Sequence, residues 1–164
     1  MIQENITFKD SSWTNLVGVL SRSNDAYDAP VIICCHWFSS NKDRVSYTSL
    51  EKKLLDANFA VFRYDAFWHG ESEWDLWDIT LTRAVDGCIQ AVKLLEKKWY
   101  KTIWLMWSSF WWCTVLNTAH ILQEKIFAVC TKAPVSHYGL QKREKLWEVG
   151  IKEWKESWYT IYSS

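Results

Sequence analysis

Ile103-Trp104-Leu105-Met106-Trp107-Ser108-Ser109-Phe110-Trp111-Trp112 is the stretch on which the fold turns. An apolar run leads into a serine pair, and Val115, Leu116, Ala119 and Leu122 then follow at helical spacing. The layout predicts a strand, a sharp turn and a helix, with Ser109 at the turn. A serine displayed on such a strained turn belongs between small residues, because the helix packs hard against the strand. Both flanking positions, 107 and 111, are tryptophan. The largest side chain stands where the smallest is wanted.

Working outward, the chain alternates. Residues 5–9 and 14–21 read as two short strands joined by a turn at Ser11-Ser12-Trp13. Residues 31–35, a β-branched and cysteine run after Pro30, read as a strand buried on both faces. A helix over 45–57 carries Leu50, Leu54 and Leu55 on one side, and residues 59–65 are the next strand. The clearest helix spans 80–98, where Leu81, Val85, Cys88, Ile89, Val92 and Leu95 form one apolar stripe. A strand at 103–106, a helix at 110–123 and a strand at 126–130 complete the pattern. This order predicts an α/β fold: a mostly parallel sheet with helices on both faces and its ligand site at the carboxyl ends of the strands. From Ser136 onward Lys, Glu and Trp dominate, and the periodicity weakens.

Composition excludes several classes. The 19 basic and 19 acidic side chains cancel with no long run of either sign, so neither nucleic acid nor an anionic membrane is an expected partner. The N-terminus lacks the basic start and apolar core of a signal peptide, and no stretch reaches the length of a membrane span. The five cysteines lie mostly in apolar segments without C-x-x-C spacing; they read as buried thiols of a cytoplasmic protein, with no metal site and no cofactor expected. The 13 tryptophans could serve carbohydrate stacking or a membrane interface, but such uses place rings on one face of an element. Here they fall in turns, as in Trp74-Asp75-Leu76-Trp77-Asp78.

Two further segments lie beyond predicted strands: His36-Trp37-Phe38 and Phe67-Trp68-His69-Gly70-Glu71-Ser72. With the Ser109 stretch, they make the chain resemble the α/β-hydrolase superfamily from residue 3 to about 135. Within it the chain looks most like small bacterial acyl esterases related to cinnamoyl and feruloyl esterases, and the neighbouring serine-aminopeptidase-like hydrolases. The resemblance implies that Ser109 is the nucleophile and that the backbone N–H groups of Phe38 and Phe110 form the oxyanion hole. It further implies that Arg63, Asp65 and His69 brace the loops. The implied activity is hydrolysis of a small-molecule carboxylic ester through an acyl-serine.

Against the family motifs, tryptophan stands at glycine positions. Only 5 glycines occur in 164 residues, against about 11 at an average usage of roughly 7%. The expectation is that many of these tryptophans are UGA codons of a lineage that reads UGA as glycine. Positions 37, 68, 107, 111 and 112 should then have backbone or packing suited to glycine, whereas Trp154 reads as a genuine tryptophan.

The resemblance also exposes a gap. Family members place the triad acid and histidine beyond a cap inserted after the strand near Cys130. His137 follows that strand directly and reads as a loop residue, and Glu144 and Glu148 read as solvated. Residues 1–135 are therefore expected to be the N-terminal part of a hydrolase core, with 136–164 the start of a cap or lid and the chain cut short within it. The rival readings are an inactive fragment or pseudoenzyme lacking acid and base, and a peptidase or acyltransferase on the same fold.

Overall fold

A computed structural model of the protein describes residues 1–24, 27–36, 40–73, 80–108 and 112–132. The strands are β1 (Ile2–Lys9), β2 (Asn15–Arg22), β3 (Val31–Cys35), β4 (Ala60–Tyr64), β5 (Ile103–Ser108) and β6 (Ile126–Lys132). The helices are α1 (Val45–Asp56), α2 (Leu81–Lys97) and α3 (Trp112–Leu122), and a single 3-10 turn at Gln123–Lys125 leads into β6. All described residues belong to one compact unit, Met1–Pro134.

The six strands form one sheet in the order β1-β2-β4-β3-β5-β6. β1 pairs antiparallel with β2, and β2 antiparallel with β4, while β4, β3, β5 and β6 run parallel. The mostly parallel α/β architecture expected from the alternation is thus the one observed. β1 begins earlier than its apolar pattern suggests. Its first residues have little to bury, but the ladder from Ile2↔Arg22 to Lys9↔Asn15 pairs the strand with β2 along its whole length.

Strand alternation divides the core into two layers. Val31, Ile33 and Cys35 of β3, with Phe62 and Tyr64 of β4 and Leu105 and Trp107 of β5, pack with Cys88, Ala91, Val92 and Leu95 of α2 and Val115 of α3. Ile32, Cys34 and Val61 face the other way, onto Tyr47 and Leu55 of α1. Helices therefore cover both faces of the sheet.

The central strands β3 and β4 are buried along their whole length, whereas β6 alternates between half-buried and exposed residues. Among the described residues β6 is a sheet edge, which leaves Phe127 exposed and stacked on Trp104. The same position corrects the reading of Cys130. It lies in an apolar segment yet is exposed, and Cys113 is half-buried; Cys34, Cys35 and Cys88 are the buried thiols. Among the described residues no group of His, Cys, Asp or Glu is arranged to hold a metal ion, and no helix is long and apolar enough to cross a membrane.

Candidate functional site

Parallel pairing brings the relevant loops to one edge of the sheet. Cys35, the last residue of β3, is in register with Tyr64 at the end of β4 on one side and with Trp107 of β5 on the other. The loops beginning at 36, 65 and 109 therefore leave adjacent strands at the same carboxyl edge. Only residues 109–111 separate the end of β5 from the start of α3. Ser109, Phe38 and Phe110, the residues to which the resemblance assigns nucleophile and oxyanion hole, lie outside the described residues, as do His137, Glu144 and Glu148.

The described part of this edge is organised by Asp65, which is fully buried. Its N–H donates to the Val17 carbonyl at 2.8 Å, fixing where the chain leaves β4. Its Oδ1 accepts the Lys42 N–H at 2.6 Å. Its Oδ2 accepts the Glu71 N–H at 2.9 Å and the Lys42 Nζ at 3.1 Å. Its carbonyl accepts the Ser72 hydroxyl at 2.7 Å, and that same Oγ receives the Val17 N–H at 2.9 Å. One carboxylate thereby ties the segment after β3 to the loop after β4. Backbone donors on an ionised carboxylate are charge-assisted and strong.

Gly70 completes the arrangement. Its φ is +54°, and a Cβ there would overlap the Asp65 carboxylate. Backbone conformation and close approach both demand glycine at this position.

Lys42 is itself buried, and its Nζ also pairs with Glu71 and with Asp43, the latter at 3.0 Å. Burial works against its charge, but its hydrogen bonds to Glu71, Asp43 and Asp65 outweigh it and hold the ammonium well above its usual range. Arg63 donates from Nε to Glu51 at 2.9 Å and from Nη1 to Asp43 at 3.1 Å and to the Lys42 carbonyl. That fork fastens α1 and the 42–43 segment to β4. Arg63, Asp65 and His69 thus make contacts of the bracing kind that the resemblance implies. Lys42 and Glu51 complete the network but belong to no motif read from the sequence, whereas Glu71 lies within the Phe67–Ser72 segment. The only sequence signal of Lys42 and Glu51 is their charge.

Two histidines, His36 and His69, meet at this edge with ring centroids 4.7 Å apart and planes tilted by 53°. His36 Nε2 accepts the Ala66 N–H at 3.2 Å, so that nitrogen carries no proton. Its 3.8 Å approach to Asp65 Oδ1 is then not an ion pair. His69 Nδ1 donates to the Phe67 carbonyl at 2.9 Å. Burial pushes the His69 pKa below its ordinary value, although that carbonyl and Asp65 pull it upward. Both imidazoles are engaged with neighbouring backbone as neutral rings. They hold loops in place.

Tryptophan at this edge is of two kinds. Trp107 is an ordinary strand residue: its indole is fully buried, stands edge-on to Tyr64 and donates from Nε1 to the His36 carbonyl at 2.7 Å. Nothing in its backbone asks for glycine, contrary to the expectation for position 107, because the β3–β5 register points this side chain into the core layer rather than into the turn. Trp112 begins α3 with the same lack of demand. Trp68 differs. It has φ +70° between Phe67 and His69. Positions 37 and 111 are outside the described residues.

No protein-family model and no curated protein sequence matches the chain. Solved structures do match in shape. The ferulic-acid complex of Est1E from Butyrivibrio proteoclasticus superposes with a TM-score of 0.76 at 19% identity, covering 85% of this chain and 56% of that one. The α/β hydrolase GrgF from Penicillium sp. sh18 gives 0.74 at 18%, covering 99% and 57%. An esterase of Pyrococcus furiosus gives 0.74 at 16%, covering 98% and 63%. The chain thus spans about three fifths of the length of these structural neighbours. With the strand order and the succession of β5 and α3, these likenesses settle the architecture: the chain has the fold of an α/β hydrolase.

Proposed function

We propose that this polypeptide belongs to a serine hydrolase of carboxylic esters, with Ser109 as nucleophile. The observation that carries the reading is the register of β3, β4 and β5, which sends three motif-bearing loops from one sheet edge, with Ser109 in the three-residue junction between β5 and α3. In the proposed chemistry the Ser109 Oγ attacks the ester carbonyl while a base takes its proton. The backbone N–H groups of Phe38 and Phe110 receive the developing oxyanion, the alcohol leaves protonated, and water then releases the acid from the acyl-serine. The network around Asp65 holds the segments flanking this machinery.

The histidines at this edge do not fit the base, and His120 lies exposed in the last turn of α3. His36 and His69 are buried and engaged with backbone, so the base and the triad acid are assigned to residues beyond the described part of the fold. The polypeptide of 164 residues is accordingly expected to show no enzyme-like turnover, since loss of a triad member costs orders of magnitude in rate. A gene product extended to the length of the structural neighbours, with glycine at 37, 68 and 111, should hydrolyse p-nitrophenyl esters of short acids, and Ser109→Ala should abolish the activity. Labelling of Ser109 by a fluorophosphonate without ester turnover would leave the nucleophile standing and move the substrate class to peptide or acyl transfer. Enzyme-like hydrolysis by the 164-residue chain, lost on His137→Ala, would overturn the assignment of the base.

A further inference from the structure

Left-handed backbone is the least forgiving local conformation for a side chain, because Cβ then crowds the neighbouring carbonyl. Five described residues other than glycine adopt it: Trp13, Asn58, Trp68, Trp99 and Gln123. Asparagine tolerates the region through its short polar side chain, and Gln123, at φ +34°, lies only at its border. The remaining three, at +66°, +70° and +71°, are all tryptophan. Only one described glycine, Gly70, has positive φ.

At two of the three positions, 13 and 99, backbone hydrogen bonding marks a place that favours glycine. Trp13 ends the β1–β2 hairpin: its N–H returns to the Asp10 carbonyl at 3.1 Å, and the Asp10 N–H donates to the Thr14 carbonyl at 3.1 Å. This is a tight turn followed by a left-handed residue, the bulge position that glycine dominates. Trp99 follows the end of α2. Its N–H donates to the Glu96 carbonyl at 2.9 Å and that of Tyr100 to the Leu95 carbonyl at 3.2 Å. That pattern is a Schellman cap with residue 99 at its left-handed position. Trp68 sits two residues before Gly70 in the loop that wraps Asp65. Trp13 and Trp99 are 76% and 79% exposed, so no buried indole offsets the strain. Trp104, by contrast, is a strand residue stacked on Phe127 and edge-on to Phe59, and its backbone is unstrained.

We infer that positions 13, 68 and 99 carry glycine in the protein as its own cells make it, their codons being read as glycine. The inference rests on backbone geometry at three separate sites, independently of the proposed enzymatic activity. It selects these positions and leaves Trp104 and Trp107 outside its reach.

The decisive experiment is peptide mapping by tandem mass spectrometry of the protein isolated from its own cells, set against its coding sequence. Glycine at 13, 68 and 99, at UGA codons, is the expected result; tryptophan in those three peptides overturns the inference. A second measurement uses the 164-residue chain itself, comparing Trp99→Gly with Trp99→Ala, and Trp13→Gly with Trp13→Ala, in urea. The glycine variants should raise the midpoint above both parent and alanine variant with the slope unchanged. Alanine matching or exceeding glycine at both sites would remove the geometric basis.

Discussion

Helices α1 and α2 end in the same way and yet with opposite chemistry. At the end of α1, Asn58 has φ +62°, its N–H donates to the Leu55 carbonyl at 3.0 Å and that of Phe59 to the Leu54 carbonyl at 2.9 Å. At the end of α2, Trp99 has φ +71° and repeats both bonds one for one, onto Glu96 and Leu95. Each cap turns the chain from a helix toward a parallel strand, β4 in one case and β5 in the other. Asparagine is a normal occupant of such a cap and tryptophan is not. The backbone path is therefore dictated by the βαβ crossover rather than by the residue at the cap.

The sharpest way to break that comparison is at a left-handed residue that also has no room. Gly70→Ala adds a Cβ against the Asp65 carboxylate as well as a left-handed penalty. It should destabilise the chain by about 2–5 kcal/mol, the sum of a conformational and an overpacking cost, seen as a large fall in the urea midpoint. Asn58→Gly, whose position carries the same φ without that close approach, should change stability by only a few tenths of a kcal/mol, roughly.

Next in size is a tryptophan with unstrained backbone. Trp104→Gly removes rings packed at 5.4 Å on Phe59 and 5.5 Å on Phe127 and leaves a flexible residue in mid-strand. A loss of about 2–4 kcal/mol is expected, opposite in sign to Trp99→Gly. If both substitutions stabilise, φ is not what separates the two kinds of tryptophan.

The caps themselves can be exchanged. Trp99→Asn should gain, and Asn58→Trp lose, roughly 1 kcal/mol each, read as opposite shifts of the thermal midpoint. Equal, near-zero shifts would mean that the α2 crossover tolerates any side chain at its cap.

The smallest expected effect is one of pH. His69 is buried and its pKa is depressed, so below its ordinary value of 6.5 the unfolded chain binds more protons than the folded one. Its contribution to stability is complete above that value and is lost as pH falls through the folded pKa. His69→Gln should flatten this acid slope. Trp68 lies edge-on to His69 at 5.3 Å, so Trp68→Gly should weaken the slope by opening the ring to water, whereas Trp99→Gly should leave it unchanged.

What could be read without coordinates follows from periodicity. Within the α2 stripe Val85, Cys88, Val92 and Leu95 are buried as the 3.6-residue spacing demands, while Leu81 at the helix start is exposed and Ile89 half-buried. The unbroken apolar run of β3 marks a strand covered on both faces. The chain's own alternation thus determined a parallel α/β sheet, and the punctuation around Ser109 marked a strand-to-helix junction. Tertiary structure alone decided the rest. Lys42, Glu51 and Glu71 lie at separations of 23, 12 and 6 residues from their partners Asp65, Arg63 and Asp65, in no repeating pattern, and only the packing of α1 and two loops on β4 joins them. Nor does sequence distinguish a tryptophan in a core strand from one in a left-handed cap. Both are the same residue type, and what separates Trp107 from Trp99 is a dihedral angle imposed by strand register on one side and crossover geometry on the other.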